Sequence, residues 1–299
     1  MTALDSAAAL AQARDLEWLA RRALRGDPFG RQTGHDVAPG SEFSQYRAYE
    51  SGDDARWLDW RRMARNDDTL LRLAPREART NVSVLIDTSA SMAEPDGRRD
   101  WTRVDAAKAI AAVALAVARR QGDSFAYRTL NMAAGASITH SHGDAHLARC
   151  LQTLGNENCR GGWPDRAQTD ALTRTLPRSG LVLVLSDFFA ESDALGHLAD
   201  ALRAPAREVI AIQLLTQREV EFDYSGQIEM VDRETGRRVA IDAARHRATF
   251  LARFEAARRA LRRQFQRRGI AFESAFIHDA PDHILRRALA RPHRARPRE

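Results

Sequence analysis

At 299 residues, with 44% hydrophobic and 29% charged content, the chain has the composition of a globular protein able to bury a sizeable core, which excludes a wholly disordered chain. Its formal net charge is +6, and Lys108 is the only lysine among 46 basic residues, so the positive charge is arginine spread along the length rather than gathered in the patch a nucleic-acid binder presents. No apolar run approaches the roughly 18 to 20 residues that cross a bilayer, and Cys150 and Cys159 give neither a disulfide framework nor a CxxC pair.

The N-terminus lacks a basic start followed by an apolar stretch and a cleavage site, so a cytoplasmic location is expected. Leu10, Leu16, Leu19 and Leu24 recur at helical spacing behind Asp5 or Ser6 as N-cap, which predicts a leading helix over 5–25. The Gly-, Pro- and Asp-rich stretch 26–40 reads as a loop. An extended segment at 42–49, a polar turn at 50–54, a cluster of Trp57, Leu58 and Trp60, and a strand at 69–73 complete a flank over 1–79. Arg47, Asp53, Asp54, Asp59 and Trp60 form either a partner-binding face, since arginine and aromatics are enriched at interaction hot spots, or a tie in which tryptophan is buried and Asp/Arg pairs hold the flank on the main domain.

A main domain is expected over 80–290. Val82, Val84, Leu85 and Ile86 make a β-branched-rich run without Gly or Pro, the pattern of a strand buried on both faces. A helix over 104–120, apolar almost all round, follows. Short strands are expected at 124–130 and 136–139, and His140, His142 and His146 fall in a surface loop leading into a helix at 145–154, without a convincing fourth zinc ligand. After the loop 155–165 come a helix at 166–176, a buried strand at 181–185, a helix at 194–203 and a strand at 208–215. A hairpin at 228–231 and 238–241, an Arg-rich helix at 243–268 and a last strand at 271–277 follow. The chain is expected to fray from Arg286 into a basic tail, 291–299. Alternating strands and helices predict the α/β class: a mainly parallel, Rossmann-type sheet with helices on both faces, plus the N-terminal flank.

The chemistry concentrates where two strands end. Asp87, Ser89 and Ser91 stand at alternate positions after the first run, and Ser186 and Asp187 end the 181–185 run. If both strands are parallel members of one sheet, the two carboxylates emerge at the same carboxyl edge. Two hydroxyls and two carboxylates are oxygen donors only, which suits a hard divalent cation such as Mg²⁺.

Together with this sheet order, the segments DTSASM (Asp87–Met92) and LSDF (Leu185–Phe188) resemble a von Willebrand factor type A (VWA) domain with a metal-ion-dependent adhesion site. More narrowly, GSEFSQYRAYESGDDARWLDWRRMAR at Gly40–Arg65 resembles the hallmark of the bacterial domain-of-unknown-function-58 family. The resemblance implies that Ser89 and Ser91 bind Mg²⁺ or Mn²⁺ directly and that Asp87 and Asp187 act directly or through water. It also implies a threonine from the middle loop. Here Gly161 and Gly162 are followed by Trp163, so Thr169 is the nearest candidate and Trp163 joins the partner-binding set. The resemblance further implies a non-enzymatic, metal-dependent protein-interaction module whose partner is a MoxR-type AAA ATPase or its client.

Two other classes compete. A metal-dependent phosphatase or hydrolase would use Asp87 as nucleophile, but the position two residues on, where such enzymes keep their acid, holds Ser89. No Gly-x-Ser-x-Gly elbow and no P-loop is present. Arginine-mediated nucleic-acid binding would use 243–268, where Phe250, Phe254 and Phe265 are spaced as core anchors.

Overall fold

Successive side chains of a strand point to opposite faces, so an unbroken apolar run is buried only where both faces of the sheet are covered. The computed structural model, which describes residues 6–16, 45–49, 58–66, 69–73, 79–96, 101–131, 136–231 and 236–290, has this arrangement. Strands β3 (Asn81–Ile86), β4 (Ser124–Thr129), β5 (Ser137–Ser141), β6 (Ser179–Ser186), β7 (Ala206–Leu215) and β10 (Ala271–Phe276) form a six-stranded sheet in the order β10-β7-β6-β3-β4-β5. All neighbours are parallel except β5, which pairs antiparallel with β4.

The alternation divides the core in two. Val82, Val84 and Ile86 of β3, Leu181, Leu183 and Leu185 of β6, and Ile210, Ile212 and Leu214 of β7 share one cluster. Helices α3 (Arg103–Arg120), α4 (Asp144–Asn156) and α9 (Pro281–Ala290) cover it, together with α1 (Ser6–Gln12). Leu85, Val182, Val184, Val209, Ala211 and Phe272 face the other cluster, beneath α5 (Arg166–Arg174), α6 (Ser192–Ala201) and α8 (Ala243–Gln266). α3 is buried nearly all round because its many alanines let the sheet approach one side while α1 and α9 pack on others. Its start is fixed by a capping box in which Thr102 and Asp105 satisfy each other's backbone amides.

The chain divides into two units, Met1–Leu24 with Thr80–Glu299, and Arg25–Arg79. The leading helix therefore belongs with the sheet, whereas the sequence pattern grouped it with the flank. Ala9, Ala13 and Leu16 enter the first cluster, and Arg120 donates to the carbonyls of Arg14, at 2.6 Å, and Leu16. In the smaller unit β1 (Gln45–Ala48) pairs antiparallel with β2 (Leu70–Leu73), and Asp59 caps α2 (Trp60–Asn66) by accepting the Arg62 amide at 3.1 Å.

Two readings of the sequence are corrected. Arg286 does not begin a frayed tail: α9 runs to Ala290, with Leu285, Ala288 and Leu289 buried against the core. His140 is not in a loop but in β5, where its Nε2 lies 3.1 Å from the buried Ser83 hydroxyl. His146 is buried at 2.9 Å from the Phe125 carbonyl and His142 is exposed, so the three histidines do not converge on a metal.

Gly180 has φ +112°, and a Cβ there would lie 2.2 Å from the Asn81 carbonyl oxygen of the adjacent strand, an atom that cannot move. Gly155 has open space around its Cβ position and ends a helix. Gly180→Ala is expected to cost about 2 kcal/mol or more, whereas Gly155→Ala leaves stability unchanged or raises it by about 0.5–1 kcal/mol. Urea unfolding followed by far-UV circular dichroism checks both.

Burial, then the charges of Arg128 and His146, push the His140 imidazole down to about 4. A base with a depressed folded pKa gives its full contribution above the unfolded value, about 6.5, and loses it as pH falls toward 4. The urea midpoint of the wild type should therefore drop between pH 6.5 and 4.5 by more than that of His140→Asn, and equal drops would contradict this.

Candidate metal centre at the carboxyl edge of the sheet

From β3 the chain crosses to β4 on one side and later returns to β6 on the other, so the strand order reverses beside β3 and leaves a crevice at the carboxyl ends. The register sets Ile86 opposite Leu185. Asp87 thus leaves β3 where Ser186 and Asp187 leave β6, and the Asp87 amide donates to the Leu185 carbonyl at 2.9 Å.

Asp87 is 1% exposed, and each of its oxygens accepts a hydrogen bond. Oδ1 takes the Ser89 amide at 2.8 Å, a local turn that aspartate favours. Oδ2 takes the Ser186 hydroxyl at 2.6 Å. The turn brings the Ser89 and Ser91 hydroxyls within 3.1 Å of each other at the start of a short 3-10 helix, Ala90–Ala93, anchored by buried Met92.

The loop after α4 closes over this turn. Arg160 N donates to Thr88 O at 2.8 Å, and Ala90 N to Gly161 O at 2.9 Å. Asn131 Nδ2 holds the loop through the carbonyls of Arg160 and Gly162, both at 3.2 Å. A Cβ on Gly161, whose φ is +74°, would meet that same nitrogen at 2.8 Å, so the close approach needs glycine. Lys108, buried in α3, fixes the loop's origin by donating to the Glu157 carbonyl at 2.7 Å.

Asp187, also 1% exposed, accepts the Phe189 amide on Oδ1 at 3.0 Å. Its Oδ2 is buried with no hydrogen-bond partner among the described residues. The nearest opposite charge is Arg103, whose Nη1 lies 3.7 Å away, and the Ser91 hydroxyl faces the same carboxylate. Burial, then the charge of Asp87, holds the Asp187 carboxyl above the usual carboxylate range, against the pull of Arg103 and the Phe189 amide.

Phe188 gives this edge its shape. Its φ is +54°, a conformation that costs a non-glycine residue on the order of 1–3 kcal/mol. Packing sustains it: the ring is buried with centroids 5.2 Å from Phe265, 6.0 Å from Phe272 and 6.3 Å from Trp163. The twist aims two successive amides at the site, Phe188 N onto Ser186 Oγ at 2.8 Å and Phe189 N onto Asp187, and turns Phe189 outward at 40% exposure.

The four residues Asp87, Ser89, Ser91 and Asp187 therefore meet. Thr169 does not join them through any hydrogen bond among the described residues; it is buried in α5, with its carbonyl accepting the Thr173 hydroxyl. Trp163 is half-buried against Phe188 and the second core cluster. Of the flank residues, Arg47 lies in β1, Asp59 caps α2 and Trp60 is 55% exposed, while Asp53 and Asp54 lie outside the described residues.

Sequence reasoning missed Arg103. As the first residue of α3 it is 2% exposed, donates to the Ser91 carbonyl at 2.8 Å, pairs with Glu219 of the short helix α7 (Gln217–Glu221) and lies over the Phe189 ring at 5.3 Å. The signal was the Thr102 to Asp105 capping pattern, which starts the helix one residue earlier than its apolar run and so points an arginine at the strand ends.

The donor set is all oxygen, two carboxylates and two hydroxyls, with one carboxylate oxygen left unsatisfied, and it fits a hard divalent cation. It holds too few acidic groups for the commoner cages: no cluster of three or more His, Cys, Asp or Glu able to hold a metal occurs among the described residues.

Uncharacterized proteins of Mycobacterium tuberculosis and Mycobacterium bovis are 32% identical over 248 residues, covering 81% of this chain and 76% of theirs. Among solved structures, the conserved hypothetical protein BatB from Bacteroides thetaiotaomicron aligns at a TM-score of 0.44 and 11% identity, over 71% of this chain and 97% of that one. An aerotolerance-related membrane protein from Bacteroides fragilis aligns at 0.42 and 12%, over 70% of this chain and 98% of that one. The family described as protein of unknown function DUF58 matches residues 45–264, a stretch that includes the whole candidate centre, and the chain belongs to this family.

Proposed function

We propose that the chain is a non-enzymatic, VWA-like protein-interaction module that grips an acidic side chain of its partner through a divalent cation, Mg²⁺ or Mn²⁺. Ser89, Ser91 and Asp187 would hold the cation, with Asp87 acting directly or through water. The observation that carries this reading is the buried Oδ2 of Asp187, which accepts no hydrogen bond among the described residues and has the Arg103 guanidinium only at 3.7 Å, beside two facing hydroxyls. A buried acceptor without a donor is costly, and a cation is the partner this donor set suits. When bound, the cation offers an open coordination position to a partner's carboxylate, because neutral hydroxyls leave part of its charge uncompensated.

Adhesion rather than hydrolysis is supported by the state of Asp87. Both of its oxygens are already engaged, by the Ser89 amide and the Ser186 hydroxyl, and no acid stands two residues on. The sequence resemblance supports a MoxR-type AAA ATPase or its client, in the cytoplasm, as the partner. No described helix is long and apolar enough to cross a membrane.

Because Asp187 has a folded-state pKa above its unfolded value, its ionised form opposes folding near neutral pH. Asp187→Asn should therefore raise the melting temperature in cation-free buffer and abolish the response to Mg²⁺. In the wild type a cation at a hundredfold above its Kd should stabilise by about 2.7 kcal/mol, a rise of several degrees. Differential scanning fluorimetry reads both arms. A wild-type melting temperature indifferent to Mg²⁺ and Mn²⁺ would overturn the proposal.

A further inference from the structure

Beside the candidate centre lies a groove of about 990 Å³, bounded by the turn carrying Ser91, by Arg103, by α8 and by the hairpin of β8 (Gln227–Val231) and β9 (Arg238–Asp242). That volume is at the upper end of the range for sites that enclose a small ligand, so it has room for more than one side chain.

Ile228, Glu229, Met230 and Val231 all line it. Consecutive residues of a strand face opposite ways, so a groove touched by four in succession runs along the edge of the strand rather than against one of its faces. β9 occupies the opposite edge of β8, and the two form a two-stranded sheet, so no strand among the described residues pairs with the edge at the groove. An open edge of this kind is a template for another strand.

The far wall is aromatic. Phe250 and Phe254 of α8 stack at 5.7 Å with an interplanar angle of 13°, and Phe254 meets the exposed Phe189 edge-on at 6.3 Å. The lining carries three carboxylates, Glu94, Glu219 and Glu229, and two guanidiniums, Arg103 and Arg218. Arg103 is paired with Glu219, and Glu229 with Arg238 at 3.0 Å. Arg218 is exposed over the Tyr224 ring at 4.3 Å and makes no ion pair among the described residues. Ser91 belongs both to the groove and to the candidate centre.

We infer that this groove receives an extended segment of a partner protein, added as a third strand along the free edge of β8. The segment carries an acidic residue at the Ser91 end and large apolar side chains at alternate positions over Phe250 and Phe254. The placement of its acidic residue rests on the cation reading above; the strand geometry does not.

The probe is a phage-displayed library of random dodecapeptides, panned on the full chain in Mg²⁺ buffer. Enriched sequences should combine Asp or Glu with Leu, Ile, Val or Phe at alternate positions. Their synthetic versions should lose about tenfold or more in affinity for Val231→Arg and for Met230→Arg. Val231 is 47% exposed, so its variant folds, as an unchanged melting temperature would verify. Backbone N-methylation of the peptide should abolish binding at one set of alternate positions and spare the other, the signature of strand pairing.

Binding that chelation or Asp87→Ala removes, but that ignores the β8 variants and both methylation sets, would overturn the groove assignment and leave the cation reading intact. Binding that needs β8 yet survives chelation and Asp87→Ala would leave the groove assignment standing and contradict the cation reading. A peptide-free dimer dissociated by Val231→Arg would show that a second copy of this chain occupies the edge, and would overturn the partner segment.

Discussion

Two carboxylates, Asp87 and Asp187, are buried in one crevice, and the rest of the carboxyl edge answers to that constraint. Like charges withdrawn from water repel strongly and each loses its hydration. The Asp87 charge is spread over an amide and a hydroxyl, and the Asp187 charge over one amide and a guanidinium held at ion-pair distance. Asp187 Oδ2, the oxygen that faces the guanidinium at 3.7 Å, accepts no hydrogen bond among the described residues. A sheet that needed only stability would have an apolar residue or an amide there. The fold instead keeps an acidic acceptor buried beside two hydroxyls, a cost that makes sense where something positive binds.

The core maintains this arrangement from beneath. Phe188 holds a strained backbone because its ring is locked among Phe265, Phe272 and Trp163, and the strain turns two amides toward Ser186 and Asp187. Phe265 comes from α8, whose earlier residues Phe250 and Phe254 line the groove. One helix therefore supports the carboxylate crevice and walls the adjacent cleft. Arg103 links the same regions from the other side, joining the Ser91 turn, Asp187 and Glu219.

The strands and the meeting of Asp87, Ser89, Ser91 and Asp187 at one sheet edge were legible because they follow from local pattern. β-branched runs in β3, β6 and β7 reveal double burial, and a polar pair at the end of each of two parallel strands fixes where the carboxylates meet. Features that depend on long-range packing were not. Arg103 reads as another surface arginine in an Arg-rich chain until the sheet edge is in place. His140 reads as part of a polar loop because nothing local reveals that Ser83 lies beneath it. The arginines of α9 disguise a helix whose leucines and alanine find a face of α3 and β10. Thr169 is the threonine nearest the middle loop that the resemblance implies, and it lies buried in α5.

Direct measurement of cation binding bears most closely on the central claim. Mn²⁺ titrated into the full chain, with free Mn²⁺ followed by electron paramagnetic resonance, should show saturable one-to-one binding that Mg²⁺ displaces and that Asp187→Ala removes. Saturation retained by Asp187→Ala, or no saturable binding to the wild type, would contradict the assignment of the buried carboxylates and paired serines as a metal centre.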